Sequence, residues 1–188
     1  MSGIGRRVRR LTTLVDNLLD VGHITSGRMV LALEEADLGE IVSDVVGDSE
    51  DLIRKSSSAL SLKVESIIGQ WDRVRIETVI TNLLANALKF GSSKPVHVAL
   101  CRAGARARLM VADEGIGIST ERQSSLFEKY DRAVSRTNFG GFGLGLWIVR
   151  EVVQAHGGVI RVDSREGAGA TFIVELPIHA PLGALPFG

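Results

Sequence analysis

Two asparagines and a lysine share one face of a predicted helix. The stretch "DRVRIETVITNLLANALKF" (72–90) has apolar residues at helical spacing. Asn82 and Asn86 are four residues apart, with Lys89 three further on. Asparagine is a poor residue for a helix interior because it competes for backbone hydrogen bonds. Either these amides bond neighbouring loops, or an amide oxygen ligates Mg²⁺, a hard cation held by few protein groups plus substrate phosphates.

A predicted strand end is the second place where chemistry can occur. The stretch "ADEGIGI" leads from the strand into Asp113, Gly115 and Gly117. One interpretation is a plain turn, because such sequences are common in turns. The other is that Asp113 accepts a hydrogen bond from a buried ligand amine, while the glycines allow close approach of the backbone.

Glycines crowd the start of a later helix, in "GGFGLGLWIV" (140–149). They leave successive N–H groups free at a helix N-terminus, where the peptide dipoles favour an anion. The preceding loop, about 119–143, carries the cations Lys129, Arg132 and Arg136, and loops of this length are often functional lids. An Mg²⁺ ligand, an amine-reading aspartate and a phosphate nest together predict a nucleoside triphosphate as the ligand.

Motifs of three other nucleotide-binding classes are missing. The chain has no G-x-x-x-x-G-K-[ST] stretch, which disfavours a P-loop. Leu146 stands where a dinucleotide fingerprint needs its third glycine. The glycine loop, strand lysine and H-R-D of Ser/Thr kinases do not occur either.

The elements that must position these residues alternate between strands and helices. The pattern predicts a short strand around 30–33, a helix from Asp37, a strand in "LSLKVES" and the helix over 72–90. Two strands joined at Ala103-Gly104 predict a hairpin. The long loop, the helix "GLWIVREVVQAHGG" and the strands "VIRVDS" and "ATFIVELP" follow. This order predicts an α/β two-layer sandwich, in which helices cover one face of a mixed sheet.

The two ends of the chain differ from this middle part. Residues 4–18 have apolar side chains at steps of three and four, which predicts an amphipathic helix. The heptad-like spacing favours packing in a helix bundle, and the alternative is a helix lying on its own domain. The last residues have no periodicity and are predicted to be loose.

The charge balance and the cysteine content limit the remaining functions. The 188 residues include 22 Lys and Arg and 22 Asp and Glu, so no net field favours nucleic acid or an anionic membrane. Cys101 is the single cysteine, which excludes a disulfide framework, and we interpret it as a core residue. No apolar run reaches the length of a membrane span. We therefore expect a cytoplasmic chain without nucleic-acid or membrane contact, whose parent can be anchored in the inner membrane.

Five stretches, in order, resemble the motifs of one family. "NLLANALKF", "DEGIGI", "LFEKYDR", "GGFGLGLWIV" and "GAGATF" resemble the N box, first glycine box, F box, second glycine box and final glycine box of sensor histidine kinases. "RRLTTLVDNLLDVGHITSGRM" is similar to the second helix of their dimerisation hairpin. The resemblance implies the Bergerat ATP-binding fold that DNA gyrase, MutL and heat-shock chaperone ATPases share. It divides the chain into a hairpin helix at 1–27, a catalytic ATP-binding domain at 28–180 and a tail at 181–188.

The resemblance also implies ligands and roles. ATP and Mg²⁺ are the expected ligands: Asn86 ligates Mg²⁺, and Asp113 receives the exocyclic amine of adenine. Asn82 and Lys89 are the expected catalytic residues. Related ATPases have a water-activating glutamate at the position of Asn82, and asparagine cannot be a general base, which favours phosphoryl transfer over hydrolysis. Lys89 and Lys129 are expected to contact the phosphates, and Arg132 and Arg136 are weaker candidates. Phe127 is expected to anchor the lid through packing. The other expected ATP contacts are Gly115 and Gly117 around adenine, Gly141, Gly143, Leu144 and Gly145 at the lid hinge, and Thr171 in the last box.

The acceptor histidine is the main departure from the family pattern. In these kinases an acidic residue follows it directly and a proline stands five positions on, a context that no histidine here has. We therefore interpret the chain as a fragment without the acceptor, and its histidines as structural. In the parent, the hairpin helix forms a homodimer, and a response regulator receiver domain takes the phosphoryl group. The histidines are His23, His97, His156 and His179.

Two alternatives remain open. The first is that the chain is a degenerate binding module that docks partner helices through residues 4–18. The second is that it is a hydrolase or a Ser/Thr kinase of the anti-sigma type. Asn82 and the hairpin-like helix speak against the second alternative. A further departure is Ala170, which stands where the last glycine box usually has Thr or Ser.

Overall fold

A computed structural model describes residues 29–128 and 144–179. Seven strands and five helices lie within these two ranges. The strands are β1 (Glu34–Asp37), β2 (Leu60–Val64), β3 (Ile68–Trp71), β4 (Val96–Ala103), β5 (Arg106–Asp113), β6 (Val159–Ser164) and β7 (Ala170–Pro177). The helices are α1 (Leu38–Asp48), α2 (Glu50–Ser56), α3 (Arg73–Phe90), α4 (Thr120–Gln123) and α5 (Gly145–Ala155).

Five strands form one mixed sheet in the order β2-β4-β5-β7-β6. The β2–β4 pair is parallel, and the other three pairs are antiparallel. β1 and β3 form a separate antiparallel ribbon. The predicted α/β sandwich with a mixed sheet is confirmed. The predicted N-terminal helix and the tail lie outside the described residues.

The two faces of the sheet differ in burial because successive side chains of a strand point to opposite sides. Val98, Leu109 and Val174 are buried on the face that α1, α3 and α5 cover. The opposite face carries polar pairs, among them Arg108 Nη2 at 2.9 Å from Glu175 Oε1. One face therefore forms the core, as the alternating apolar pattern predicts.

Aspartates cap the helices that begin directly after a strand. The Asp37 carboxylate accepts from the Gly39 N–H at 2.8 Å, so the predicted start of α1 at this residue is confirmed. At α3, Asp72 Oδ1 accepts from the Arg75 N–H at 3.1 Å. An aspartate here satisfies amide groups that have no partner inside the helix.

Asp72 also joins three parts of the chain. Its Oδ2 accepts from the Ala32 N–H at 3.0 Å, and its own N–H donates to His156 Nε2 at 3.1 Å. The second ring nitrogen, Nδ1, donates to the Val152 carbonyl at 2.8 Å. His156 is 4% exposed, and burial lowers its pKa. The neutral imidazole therefore connects the end of α5 to the start of α3.

Several predicted elements are corrected by the structure. The predicted strand around 30–33 is wrong, since β1 lies at Glu34–Asp37 and pairs with β3, which the sequence pattern did not indicate. The predicted helix from Asp37 is divided at Ser49 into α1 and α2. Cys101 is not a core residue: it is half-buried on the open face of the sheet, opposite Arg108. The predicted hairpin is confirmed, with Gly104 at φ +64° in its turn.

Candidate functional site

A cavity of about 430 Å³ opens where the C-terminal half of α3 meets the ends of β5 and β7. The short helix α4 and the start of α5 complete its wall. Three of the predicted ligand residues line it, namely Asn86 from α3, and Asp113 and Gly117 from the end of β5 and the loop after it. The lining residues are Asn86, Phe90, Asp113, Ile116, Gly117, Ile118, Ser119, Glu121, Arg122, Leu126, Leu146, Glu166, Ala170 and Phe172.

Asp113 is the buried acceptor of the cavity. It is the last residue of β5 and is 7% exposed. Burial raises the pKa of its carboxyl, although hydrogen bonds from the backbone of Gly115 and Ala170 partly oppose the shift. The Gly115 N–H donates to Oδ1 at 2.8 Å. A carboxylate has room for further donors, so a ligand amine within the cavity can donate to this group.

The glycines after Asp113 stand where the backbone leaves no room for a side chain. A Cβ at Gly115 would lie 1.9 Å from the carbonyl oxygen of Phe90. Gly117 has φ +66°, and a Cβ there would lie 2.0 Å from the carbonyl oxygen of Arg165. Both glycines therefore shape the pocket through close backbone packing, and Gly117 also lines it.

Helix α3 places Asn86 in the cavity and Asn82 one turn earlier. Asn86 is half-buried and its carboxamide has no hydrogen-bond partner within residues 29–128 and 144–179. Its oxygen is thus available as a ligand, and it fits a hard cation such as Mg²⁺. Asn82 does not line the cavity: its Nδ2 donates to the Thr78 carbonyl at 2.9 Å. Its Oδ1 lies so close to Gly145 that a Cβ at Gly145 would be 2.6 Å from this oxygen.

Lys89 lies one turn beyond Asn86 and outside the cavity lining. Its Nζ is 4.8 Å from the centre of the Phe90 ring. Burial lowers the pKa of the ammonium group because it disfavours the charged form. A nearby phosphate would favour the charged form and raise this pKa again. Its contact with phosphate stays a prediction.

The structure describes only part of the predicted lid and hinge. Leu144 is buried and precedes α5, and Gly145 is the first residue of that helix. Phe127 packs edge to face on Phe172, with ring centres 6.4 Å apart, in agreement with its predicted packing role. The predicted contacts Lys129, Arg132, Arg136, Gly141 and Gly143 lie outside the described residues.

Thr171 is not brought to the cavity. On β7, Ala170 and Phe172 line the cavity, and alternation directs Thr171 to the opposite face of the sheet. There it is paired with Ala112 and Asp163. This placement does not favour a contact of the hydroxyl with ATP near adenine, which stays a prediction.

Sequence reasoning missed the apolar walls of the cavity. Phe90, Ile116, Ile118, Leu126 and Phe172 line it and are buried or half-buried, except Ile116, which is 47% exposed. A planar, weakly polar ring fits between such side chains, because pockets for small molecules are mostly apolar with a few placed polar groups. Only Ile116 and Ile118 had a local signal, since they alternate with the glycines of "EGIGI".

Of the described histidines, only His156 is buried, in agreement with the structural role predicted for it. His97 is exposed, and its Nδ1 lies 2.7 Å from the Ser61 hydroxyl. His179 follows the end of β7, and His23 lies outside the described residues. Within 29–128 and 144–179, no three His, Cys, Asp or Glu side chains are grouped to hold a metal ion. Nor is any helix in these ranges long and apolar enough to cross a bilayer.

Comparisons with known proteins agree with this geometry. The family model for "Histidine kinase-, DNA gyrase B-, and HSP90-like ATPase" matches residues 71–180. The circadian input-output histidine kinase CikA of Synechococcus elongatus is 31% identical over 89% of this chain and 23% of its own length. The alginate biosynthesis sensor protein KinB of Pseudomonas aeruginosa is 36% identical over 93% of this chain and 30% of its own length. The chain thus spans less than a third of either relative.

One solved structure is similar to this chain over the whole length of the solved chain. The mycobacterial sensor histidine kinase MprB has a TM-score of 0.70 and 28% identity, covering 79% of this chain and 100% of that one. The family match covers more than half of the chain and includes Asn86, Asp113 and the glycines around them. The chain therefore belongs to the histidine kinase-, DNA gyrase B- and HSP90-like ATPase family, as an ATP-binding catalytic domain of the sensor histidine kinase type.

Proposed function

We propose that the cavity binds ATP with Mg²⁺ and that the domain transfers the γ-phosphoryl group to a histidine on a dimerisation hairpin. A receiver domain of a response regulator then takes the phosphoryl group, and residues 1–27 form the homodimer in the parent protein. One observation carries the proposal. The buried carboxylate of Asp113 and the carboxamide of Asn86, which is unpartnered within the described chain, line one cavity with apolar walls.

Asp113 selects the base in this proposal. Its carboxylate accepts the exocyclic amine of adenine, and the Gly115 N–H holds Oδ1 in place for that contact. Ile118 and Phe172 pack on the faces of the base and exclude water. The low-polarity surroundings strengthen the charge-assisted hydrogen bond between the carboxylate and the amine.

Asn86 holds the metal at the phosphate end. Mg²⁺, when bound, would neutralise the charge of the phosphates. The oxygen of the Asn86 carboxamide would be its protein ligand in the described part of the cavity. Lys89, one turn further along α3, contributes a positive charge near the phosphates.

The side chain of Asn82 favours transfer to a protein group over hydrolysis. A carboxamide cannot accept a proton from water, so it supplies no general base at this position. Asn82 instead lies against Gly145 and supports the start of α5. Phosphoryl transfer depends mainly on positioning and charge neutralisation, which this arrangement provides.

A nucleotide titration tests the binding step. Calorimetry with a non-hydrolysable ATP analogue should show binding that Mg²⁺ strengthens. Asp113→Asn should weaken binding at least about tenfold, the effect of losing one charge-assisted hydrogen bond. Asp163→Asn, on the open face of the sheet, is the matched control and should bind like the unsubstituted chain. No binding at millimolar analogue would overturn the proposal.

Two further measurements separate the metal and the transfer steps. Asn86→Ala should remove mainly the Mg²⁺-dependent part of the affinity and leave metal-free binding nearly unchanged. For transfer, the chain is incubated with an intact acceptor hairpin and labelled ATP. Labelled histidine supports the proposed kinase activity. Binding without any transfer would instead favour a binding module.

A further inference from the structure

Two loops form the Asp113 end of the cavity. One is 114–119, after β5, and the other is 165–169, between β6 and β7. The loops touch through their backbones, since the Gly167 N–H donates to the Ile116 carbonyl at 2.7 Å. Neither loop has regular secondary structure, so side-chain hydrogen bonds can add to this backbone contact in fixing their relative position.

Ser164 lies between these loops and bonds to both. Its hydroxyl accepts from the Ile118 N–H at 2.9 Å and donates to the Gly169 carbonyl at 2.6 Å. One oxygen therefore uses its donor and its acceptor function at once, in two different loops. Alanine at this position would leave both backbone groups without their partner.

Gln123 ties the short helix α4 to the same place. Its Nε2 donates to the Ile118 carbonyl at 2.9 Å and to the Ser164 carbonyl at 2.8 Å. Helix α4 has four residues, none of them buried, although Glu121 and Arg122 line the cavity. The carboxamide thus holds a helix that has no buried side chain to anchor it.

We propose that Ser164 and Gln123 are positioning residues for the adenine base. This inference rests on the proposed function, because it concerns the same cavity. Neither side chain lines the cavity, yet three of their four hydrogen bonds hold the backbone of Ile118, which lines the cavity, and of Gly169, which precedes the lining residue Ala170. Walls that are already in place lose less conformational freedom when a ligand binds. They also hold the purine edge in register with the Asp113 carboxylate, on which discrimination between adenine and guanine depends.

The test compares ATP and GTP binding in matched serine variants of the full chain. Ser164→Ala should weaken ATP binding about tenfold and reduce the ratio of ATP to GTP affinity. Ser164→Thr keeps the hydroxyl and should restore most of both. Ser43→Ala is the control, because its hydroxyl also donates to a backbone carbonyl, Gly39 at 2.8 Å, but in α1. It should leave both affinities unchanged.

The outcomes separate this inference from the proposed function. If the unsubstituted chain binds no ATP, the proposed function fails and the inference with it. If it binds ATP but Ser164→Ala keeps the affinity and the ATP/GTP ratio, the inference alone is overturned. An equal loss for both nucleotides that follows a loss of stability also overturns it, since a merely structural role predicts that result. If Ser164→Ala does not fold, Gln123→Ala decides: a reduced ATP/GTP ratio supports the inference, and an unchanged ratio rejects it.

Discussion

Replacing Gly169 by alanine tests how closely the backbone must pack beneath the cavity. Gly169 has φ +84°, and a Cβ there would lie 1.9 Å from the carbonyl oxygen of Asp113. Gly104, in the hairpin turn, has φ +64°, but a Cβ there would meet no atom within 4 Å. The two positions share the left-handed conformation and differ in close approach. Comparing them therefore isolates the effect of the contact with Asp113.

The expected free energies follow from these two terms. The left-handed conformation costs an alanine about 1–2 kcal/mol, so Gly104→Ala should lower the free energy of unfolding by that amount. Gly169→Ala must also displace backbone, and forcing atoms into a packed region costs about 1–3 kcal/mol. The sum is about 2–5 kcal/mol. Because the displaced oxygen belongs to Asp113, ATP binding should weaken in Gly169→Ala and stay unchanged in Gly104→Ala.

Urea unfolding and calorimetric titration measure the two effects. Trp71 and Trp147 are buried, so their fluorescence reports unfolding in both variants. The reasoning is refuted if the two variants lose the same free energy of unfolding. It is equally refuted if Gly169→Ala binds ATP as tightly as Gly104→Ala, because the strained contact would then not reach the site.

Three further predictions concern ionisation and capping. Burial raises the pKa of Asp113, so ATP affinity, measured by calorimetry, should fall as the pH falls through that raised pKa and the carboxyl loses its charge. Burial lowers the pKa of His156 in the folded chain. As the pH falls through about 6.5, this histidine therefore becomes protonated in the unfolded chain but stays neutral in the folded chain. The free energy of unfolding in urea should therefore decrease below that pH and level off below the lowered pKa. Asp72→Ala should lower the free energy of unfolding by about 0.5–2 kcal/mol because the N-cap is lost. Asp163→Ala, at an exposed position, should lower it by about 0.5 kcal/mol or less.

Each of these predictions has a control and a contrary result. Asp113→Asn should make ATP affinity independent of pH, and a pH-independent affinity in the unsubstituted chain would contradict the first prediction. His97→Gln, at an exposed histidine, should leave the pH profile of stability in place, whereas His156→Gln should flatten it. A flat profile in the unsubstituted chain would contradict the second. Equal stability losses in Asp72→Ala and Asp163→Ala would contradict the third.

Elements with local causes were predictable from the sequence. The start of α1 depends on Asp37, whose side chain bonds an N–H group only two residues away. The hairpin depends on Gly104, which supplies the positive φ of the turn. The four-residue spacing of Asn82 and Asn86 also predicted that they share one side of α3, where Asn86 lines the cavity. In each case neighbouring residues decide the outcome.

Features that depend on distant partners were not predictable. β3 has only four residues, one of them a glycine, and it forms a strand because β1 pairs with it. Trp71, at its end, donates to the Pro177 carbonyl. The sequence pattern does not distinguish the apolar residues of the cavity wall from other core residues, because distant parts of the chain must come together to form the wall. The face of the sheet that Thr171 occupies was not predictable either, because the register between β5 and β7, and not the motif, decides it.

The junction between His156 and Asp72 gives α3 and α5 a common pivot. Asp72 at the start of α3 meets the end of α5, while Asn82 meets Gly145 at its start, so the helices run antiparallel. At 1.5 Å per residue, Asn86 lies about 21 Å along the helix from this pivot. A tilt of about 5° there would move Asn86 by about 2 Å, most of a hydrogen-bond length. Because Ala32 bonds to the same aspartate, we expect that a small displacement of the chain entering the domain would be amplified at Asn86 if it tilted the helix.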